Sequence, residues 1–391
     1  MNNKKKANKQ SKAQKSFNLP DTLSLQLIKN DFETIQAIIY KNHENEGAPI
    51  ISLVLLPYFS LSCVEALNFL KDKRIISNIK NNSSHSPEII RNDLKKMMNR
   101  INKIYKGVLE IDEEVDLRAR NEVKYDFIKM NNLYYNIGFY SNENHQLISN
   151  TQYMKSMFKN QKENIENKDS SETPSAEYLL GEYLGKYTKS ITTLLGTVKL
   201  TEFNKPFESD IRVFYKDMHT DNLELLDGLD KAQTLFIIHT LSSLNGIKNL
   251  LSTILPWENT YLFRIKYIVT YYAYCGLAKF TKNMTTQNKN ITPEIEVLIN
   301  IINAVESNKK AYFNMNFRSC MMHYGLKNDG IFSIDRNLLN QQIPFYGLIE
   351  SCFNVKKFEE QNTIITSLMN ELSITLEKVI SLNLDSSNLL D

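Results

Sequence analysis

An arginine and a histidine five positions apart, Arg318 and His323 in Arg318-Ser319-Cys320-Met321-Met322-His323, are the residues of this chain best suited to do chemistry. Arginine is permanently charged and offers a planar donor fork to phosphate. Histidine titrates near neutrality and can take or give a proton there. On a helix with steps of about 100° per residue, Phe313, Phe317, Cys320, Met321 and Tyr324 fall together as a core stripe. Arg318 and His323 then flank the opposite face, with Met315 and Met322 between them. Two methionines on such a face describe a surface that meets a partner. Asn316 and Ser319 share the histidine's side of the helix and are placed to orient its ring. Gly325 is the expected helix stop, and Asn328-Asp329-Gly330 the turn beyond it.

Other signals are weaker. The chain has no G-x-x-x-x-G-K phosphate loop, no Rossmann glycine fingerprint, no H-E-x-x-H, no G-x-S-x-G elbow and no kinase motif set. Cys63, Cys275, Cys320 and Cys352 are far apart and form no C-x-x-C pair, which suits a reducing cytoplasm and neither a disulfide framework nor a zinc ribbon. No metal and no cofactor is therefore expected. His239, in an apolar run, reads as a satisfied core histidine, while His43, His85 and His145 sit in Asn- or Ser-rich loops. Asp221, Glu224, Asp227 and Asp230 read as a solvated helix N-terminus, and Trp257, after Pro256, as an anchor between helices. A second Arg-to-His spacing, Arg212 to His219, has the apolar Val213 after the arginine and reads as coincidence.

The elements that must position Arg318 and His323 are helices. With 12 Gly and 9 Pro in 391 residues, turn signals are too sparse for an all-β chain. Hydrophobic residues at 42% and charged ones at 23% describe a folded protein, not a disordered one. Helical periodicity appears over 31–42, over Pro87–Tyr105, and then over 176–195, 221–251, 258–282, 293–307, 309–325 and 356–383. Thr292-Pro293 marks one helix start, with threonine as cap and proline in the first turn. Residues 133–140 alternate as a short strand does. The expected fold is mainly α: a C-terminal up-and-down helical bundle over 176–391 and an unassigned, mostly helical N-terminal domain over 17–158. Residues 159–175, without apolar period, read as the linker, and residues 1–16 as a disordered Lys-rich tail. That tail carries six lysines before the first acid, Asp21, so a formal net charge of +3 leaves the remainder at −3. A slightly acidic body is not a broad nucleic-acid-coating surface. The apolar stretch Ala48–Val64 is interrupted by Pro49 and Pro57 and closed by Glu65 and Asn68, so a buried element is expected there, with no stable membrane insertion.

Arg318, four intervening residues and His323, near the end of a helix in a helical bundle, resemble the motif of the HEPN superfamily of ribonucleases. Tyr324-Gly325-Leu326, and beyond it Pro344 and Gly347-Leu348-Ile349, add to the likeness, which covers about residues 220–391. The family usually places Asn, Asp or His after the arginine, where this chain has Ser319. The resemblance implies a metal-independent endoribonuclease that acts on RNA. It also implies a homodimer in which two Arg–His helices face each other, with Met315 and Met322 at the interface. A toxin or anti-phage role, with an antitoxin or defence-system partner, is the setting in which such proteins occur. The alternative is a non-catalytic helical interaction protein that uses the same face for a protein partner or a nucleotide.

Overall fold

The structure, a computed structural model, describes residues 18–42, 48–75, 90–92, 94–125, 128–129, 133–156, 176–196, 212–223, 228–287, 291–328, 331–353, 357–380, 384 and 388–389. The expected tail, the linker at 159–175 and the loop histidines His43 and His85 lie outside the described residues, as do Glu224 and Asp227.

The protein is mainly α, as its composition predicts. Its helices are α1 (Leu19–Asn42), α2 (Ala48–Asp72), α3 (Ile101–Glu122), the short α4 (Thr151–Ser156), α5 (Ala176–Leu195), α6 (Lys231–Asn245), α7 (Thr260–Thr286), α8 (Pro293–Ser307), α9 (Met315–His323), α10 (Leu348–Cys352) and α11 (Phe358–Ile380). The helix α7 forms the axis because it is apolar on nearly every side: residues Tyr261 to Tyr274 are all buried. Asn259 starts it by accepting a hydrogen bond from the Leu262 amide at 2.9 Å. Around α7 pack α1, α6, α8, α9 and α11.

A small antiparallel sheet covers one end. Its order is β2 (Leu147–Asn150), β1 (Ile137–Ser141), β3 (Phe214–Met218) and β4 (Asn388–Leu389), and β2 lies on α6. The expected strand over 133–140 is thus observed four residues later at its start, while β3 carries no clear alternation. Segments from both sides of the expected linker share one hydrophobic core, which runs from Leu23 through Ile137 to Leu384.

Two expected helices are broken by their capping chemistry. Residues 221–251 do not form one helix: Asp230 and Gln233 make a reciprocal capping box, so α6 starts at Lys231. Residues 309–325 divide at Asn314, whose side-chain oxygen accepts from the amides of Asn316 at 2.9 Å and Phe317 at 3.1 Å and opens α9 there. The predicted helix Pro87–Tyr105 is interrupted by a 3-10 turn at Leu94–Met98 and by the extended Arg100, after which α3 begins.

The apolar stretch at Ala48 continues unbroken through Glu65 to Asp72 as α2. By length and composition it is the one helix among the described residues that could cross a membrane, and 89% of its most apolar window is buried inside the protein.

Candidate functional site around His323 and Glu65

The nine residues of α9 are held at both ends by other elements. Asn314 caps its start and donates from Nδ2 to the Cys352 carbonyl at 2.7 Å. At its end Tyr324, not Gly325, takes the left-handed conformation, with φ of 57°, and returns its amide to the Cys320 carbonyl at 3.0 Å. A left-handed non-glycine residue costs on the order of 1 kcal/mol, so something must hold it. The Tyr324 hydroxyl donates to Asp31 of α1 at 2.7 Å, and the Arg264 guanidinium of α7 lies 3.8 Å above its ring centre. Arg264 also donates from Nε to the Met321 carbonyl at 2.6 Å and pairs with Asp31. This buried clamp fixes the last turn of α9, and with it His323.

The core stripe lies where the helical spacing puts it: Phe313, Phe317, Cys320, Met321 and Tyr324 are all buried. The methionine face does not. Met315 is 65% exposed, but Met322 is 1% exposed and receives a hydrogen bond from the Tyr272 hydroxyl at 3.6 Å to Sδ. Met322 is therefore packed inside the protein's own core and is no interface residue. The helical wheel failed here because α2 and α7 cover α9 from the side the wheel leaves open.

His323 is half-exposed, and its Nδ1 lies 2.8 Å from Oε2 of Glu65, which is itself buried in α2. Glu65, not Ser319 or Asn316, is the group that holds Nδ1. The second oxygen of Glu65 accepts from Arg91. Burial by itself raises the Glu65 carboxyl, but the hydrogen bond and charge of His323 together with Arg91 outweigh it and hold the group below its ordinary range. Glu65 is thus an anion inside the protein, kept so by an imidazole and a guanidinium.

Arg318 is held by α7. Its Nη2 donates to the Tyr272 hydroxyl at 3.3 Å, and its guanidinium lies 5.9 Å from the Tyr271 ring centre. Burial raises the Tyr272 phenol, with the charges of both Arg318 and Arg91 acting the other way. Tyr272 therefore sits where the fields of two guanidinium groups meet. The Nε atoms of Arg91 and Arg318 are both buried without a hydrogen-bond partner.

With Nδ1 occupied by a carboxylate, His323 has Nε2 for a reacting group, and the carboxylate fixes both the tautomer and the ring plane. Glu65 and Arg91 escape the Arg–His spacing because they come from α2 and residues 90–92, far away in sequence. One signal does point to Glu65: it is the sole acid between residues 48 and 71, in an otherwise apolar helix.

The second Arg–His spacing makes no such arrangement. His219 is buried with Nε2 at 3.2 Å from Asp116 Oδ1 and Nδ1 accepting from the Asp221 amide at 3.1 Å, so both ring nitrogens are used internally. Among the described residues no three His, Cys, Asp or Glu side chains gather as metal ligands. Comparisons with family models, with curated proteins and with solved structures find no match to this chain.

Proposed function

We propose that this protein is a metal-independent endoribonuclease of the HEPN-like kind, with Glu65, Arg91, Arg318 and His323 as its reaction centre. One observation carries the reading: a half-exposed imidazole is bound through Nδ1 to a buried carboxylate whose other oxygen holds a guanidinium. In this reading His323 takes the proton of an RNA 2′-hydroxyl at Nε2. The 2′-oxygen forms a bond to phosphorus while the bond to the 5′-oxygen breaks, and the imidazolium returns the proton to that departing oxygen. The products are a 2′,3′-cyclic phosphate and a 5′-hydroxyl. Arg318 and Arg91 bear on the negative charge that builds on phosphorus, a role whose loss costs about 10²–10³-fold in rate at a preorganised site.

The HEPN resemblance adds a homodimer and a toxin or anti-phage effector role in the cytoplasm. Of the two methionines first assigned to the dimer surface, only Met315 is exposed enough to serve it. The experiment is incubation of the purified protein with single-stranded RNA in EDTA, followed by analysis of the new ends. Cyclic phosphate ends, and no cut at a position carrying a 2′-deoxy sugar, support the reading. Hydrolysis with free 3′-hydroxyl ends contradicts it.

The commitment of Arg91 to Glu65 favours a second reading, in which the network is an ion-pair lock between α2 and α9 in a non-catalytic interaction protein. On that reading RNA stays intact, and His323→Ala changes only the melting temperature.

A further inference from the structure

A cavity of about 600 Å³, with Tyr272 in its wall, opens between α2, α3, α6 and α7. Its size lies within the range of about 300–1,000 Å³ that small-molecule sites occupy. Most of the wall is apolar, from Pro57, Ile104, Val108, Ile111 and Val269 among others. A packed protein seldom keeps so large an apolar space without a use for it.

Two features of the wall say what would fill it. The first is His239, which the sequence suggests is a satisfied core histidine. It is 3% exposed and its Nε2 is buried without a hydrogen-bond partner. Burial, assisted by the charge of Lys96, pushes its imidazole down to about 3, so the ring is neutral at physiological pH. A neutral imidazole nitrogen in an apolar wall offers one hydrogen bond to a polar atom of an occupant. The second feature is charge. Among the described residues, Lys96, Lys103 and Lys106 line the cavity with one acid, Glu110, so lysines outnumber acids on the described wall. Lys106 is largely exposed and only loosely paired with Glu110, at 3.8 Å.

From these observations we infer that the cavity is a binding site for a small organic anion with an apolar body, whose one polar ring or chain atom meets His239 and whose anionic group meets Lys103 and Lys106. The inference does not depend on ribonuclease activity.

Gly107 supplies the test. It lines the cavity from the middle of α3, and a Cβ there meets nothing within 4 Å. Gly107→Phe therefore meets no clash at its Cβ and adds a ring at the cavity wall. The probe is 8-anilinonaphthalene-1-sulfonate, an apolar ring system with one sulfonate, titrated by calorimetry into the full-length protein. Saturable binding at one site per chain is expected, at least tenfold weaker in Gly107→Phe and several-fold weaker in the surface variant Lys103→Glu/Lys106→Glu. The surface variant keeps the test valid should Gly107→Phe fold poorly. Absence of saturable binding, or binding that both variants leave unchanged, overturns the inference.

Discussion

Nδ1 of His323 and Oε2 of Glu65 lie 2.8 Å apart, joining the last residue of α9 to the interior of α2 across 258 positions of sequence. The contact ties the imidazole of the Arg–His motif to an anion that the motif itself does not contain. It also couples stability to pH. Because the Glu65 carboxyl is held below its ordinary value of 4.5, its ionised form stabilises the native state at higher pH. That contribution is complete above about 4.5 and is lost as the pH falls through the lowered native value. Glu65→Gln is expected to lower urea-unfolding stability by about 2 kcal/mol at pH 7. The difference from wild type should shrink steadily in acid, as urea titrations at several pH values will record.

The clamp at the end of α9 makes a separate prediction. Arg264 is buried, and Asp31 is its acidic partner. Asp31→Asn leaves a guanidinium without a counter-charge in the core and should cost about 3–5 kcal/mol. Tyr324→Phe removes only the hydroxyl that donates to Asp31 and should cost about 1–2 kcal/mol. Chemical denaturation of the two variants checks both values and their order.

How much of this was legible in the sequence follows from the range of each interaction. Helix-period patterns located α5, α7, α8 and α11 to within a few residues, because a buried helix writes its core stripe locally. Caps were legible where the signal is compact, as at Thr292, whose Oγ1 accepts from the Ile295 amide. Asn314 and Tyr324 were not, since the apolar period of α9 continues through the first, and the second is held by Asp31 and Arg264 from other helices. The exposure of Met322 was misread for the same reason. Periodicity reports which side of a helix is apolar, not how many neighbours cover it. The proposed site shows the same split: Arg318 and His323 stand close together in the sequence, while Glu65 reaches His323, and Arg91 reaches Glu65, only through the tertiary fold.

Lys266 is a buried cation on α7, with the Trp257 ring centre 4.6 Å from its Nζ. Burial pulls its ammonium down to about 8 from an ordinary 10.5. Between those two pH values the unfolded chain binds more protons than the native one, so native stability rises with pH across that window. Lys266→Met should therefore stabilise the protein by about 1–2 kcal/mol below pH 8. The gain should fade as the pH approaches 10.5, which melting temperatures from pH 7 to pH 10.5 will test.

The four thiols are expected to be slow. Burial pushes Cys63 and Cys352 up to about 12 and Cys320 up to about 11, and raises Cys275 as well. The reactive species is the thiolate, so little is present at neutral pH. A disulfide reagent such as Ellman's should titrate all four rapidly in guanidinium and none rapidly in the native protein. One fast native thiol would show that its surroundings open in solution.

The central claim, that His323 held by Glu65 moves the proton in RNA cleavage, is tested most directly by one rate comparison. Single-turnover cleavage of a fluorescently labelled single-stranded RNA in EDTA is measured for wild type and His323→Ala, each shown to be folded by its melting curve. Wild type should cut and the variant should be slower by about 10²–10⁴-fold, the range for loss of a general acid–base group. Equal rates in the two proteins, or no cleavage by wild type, would contradict the account.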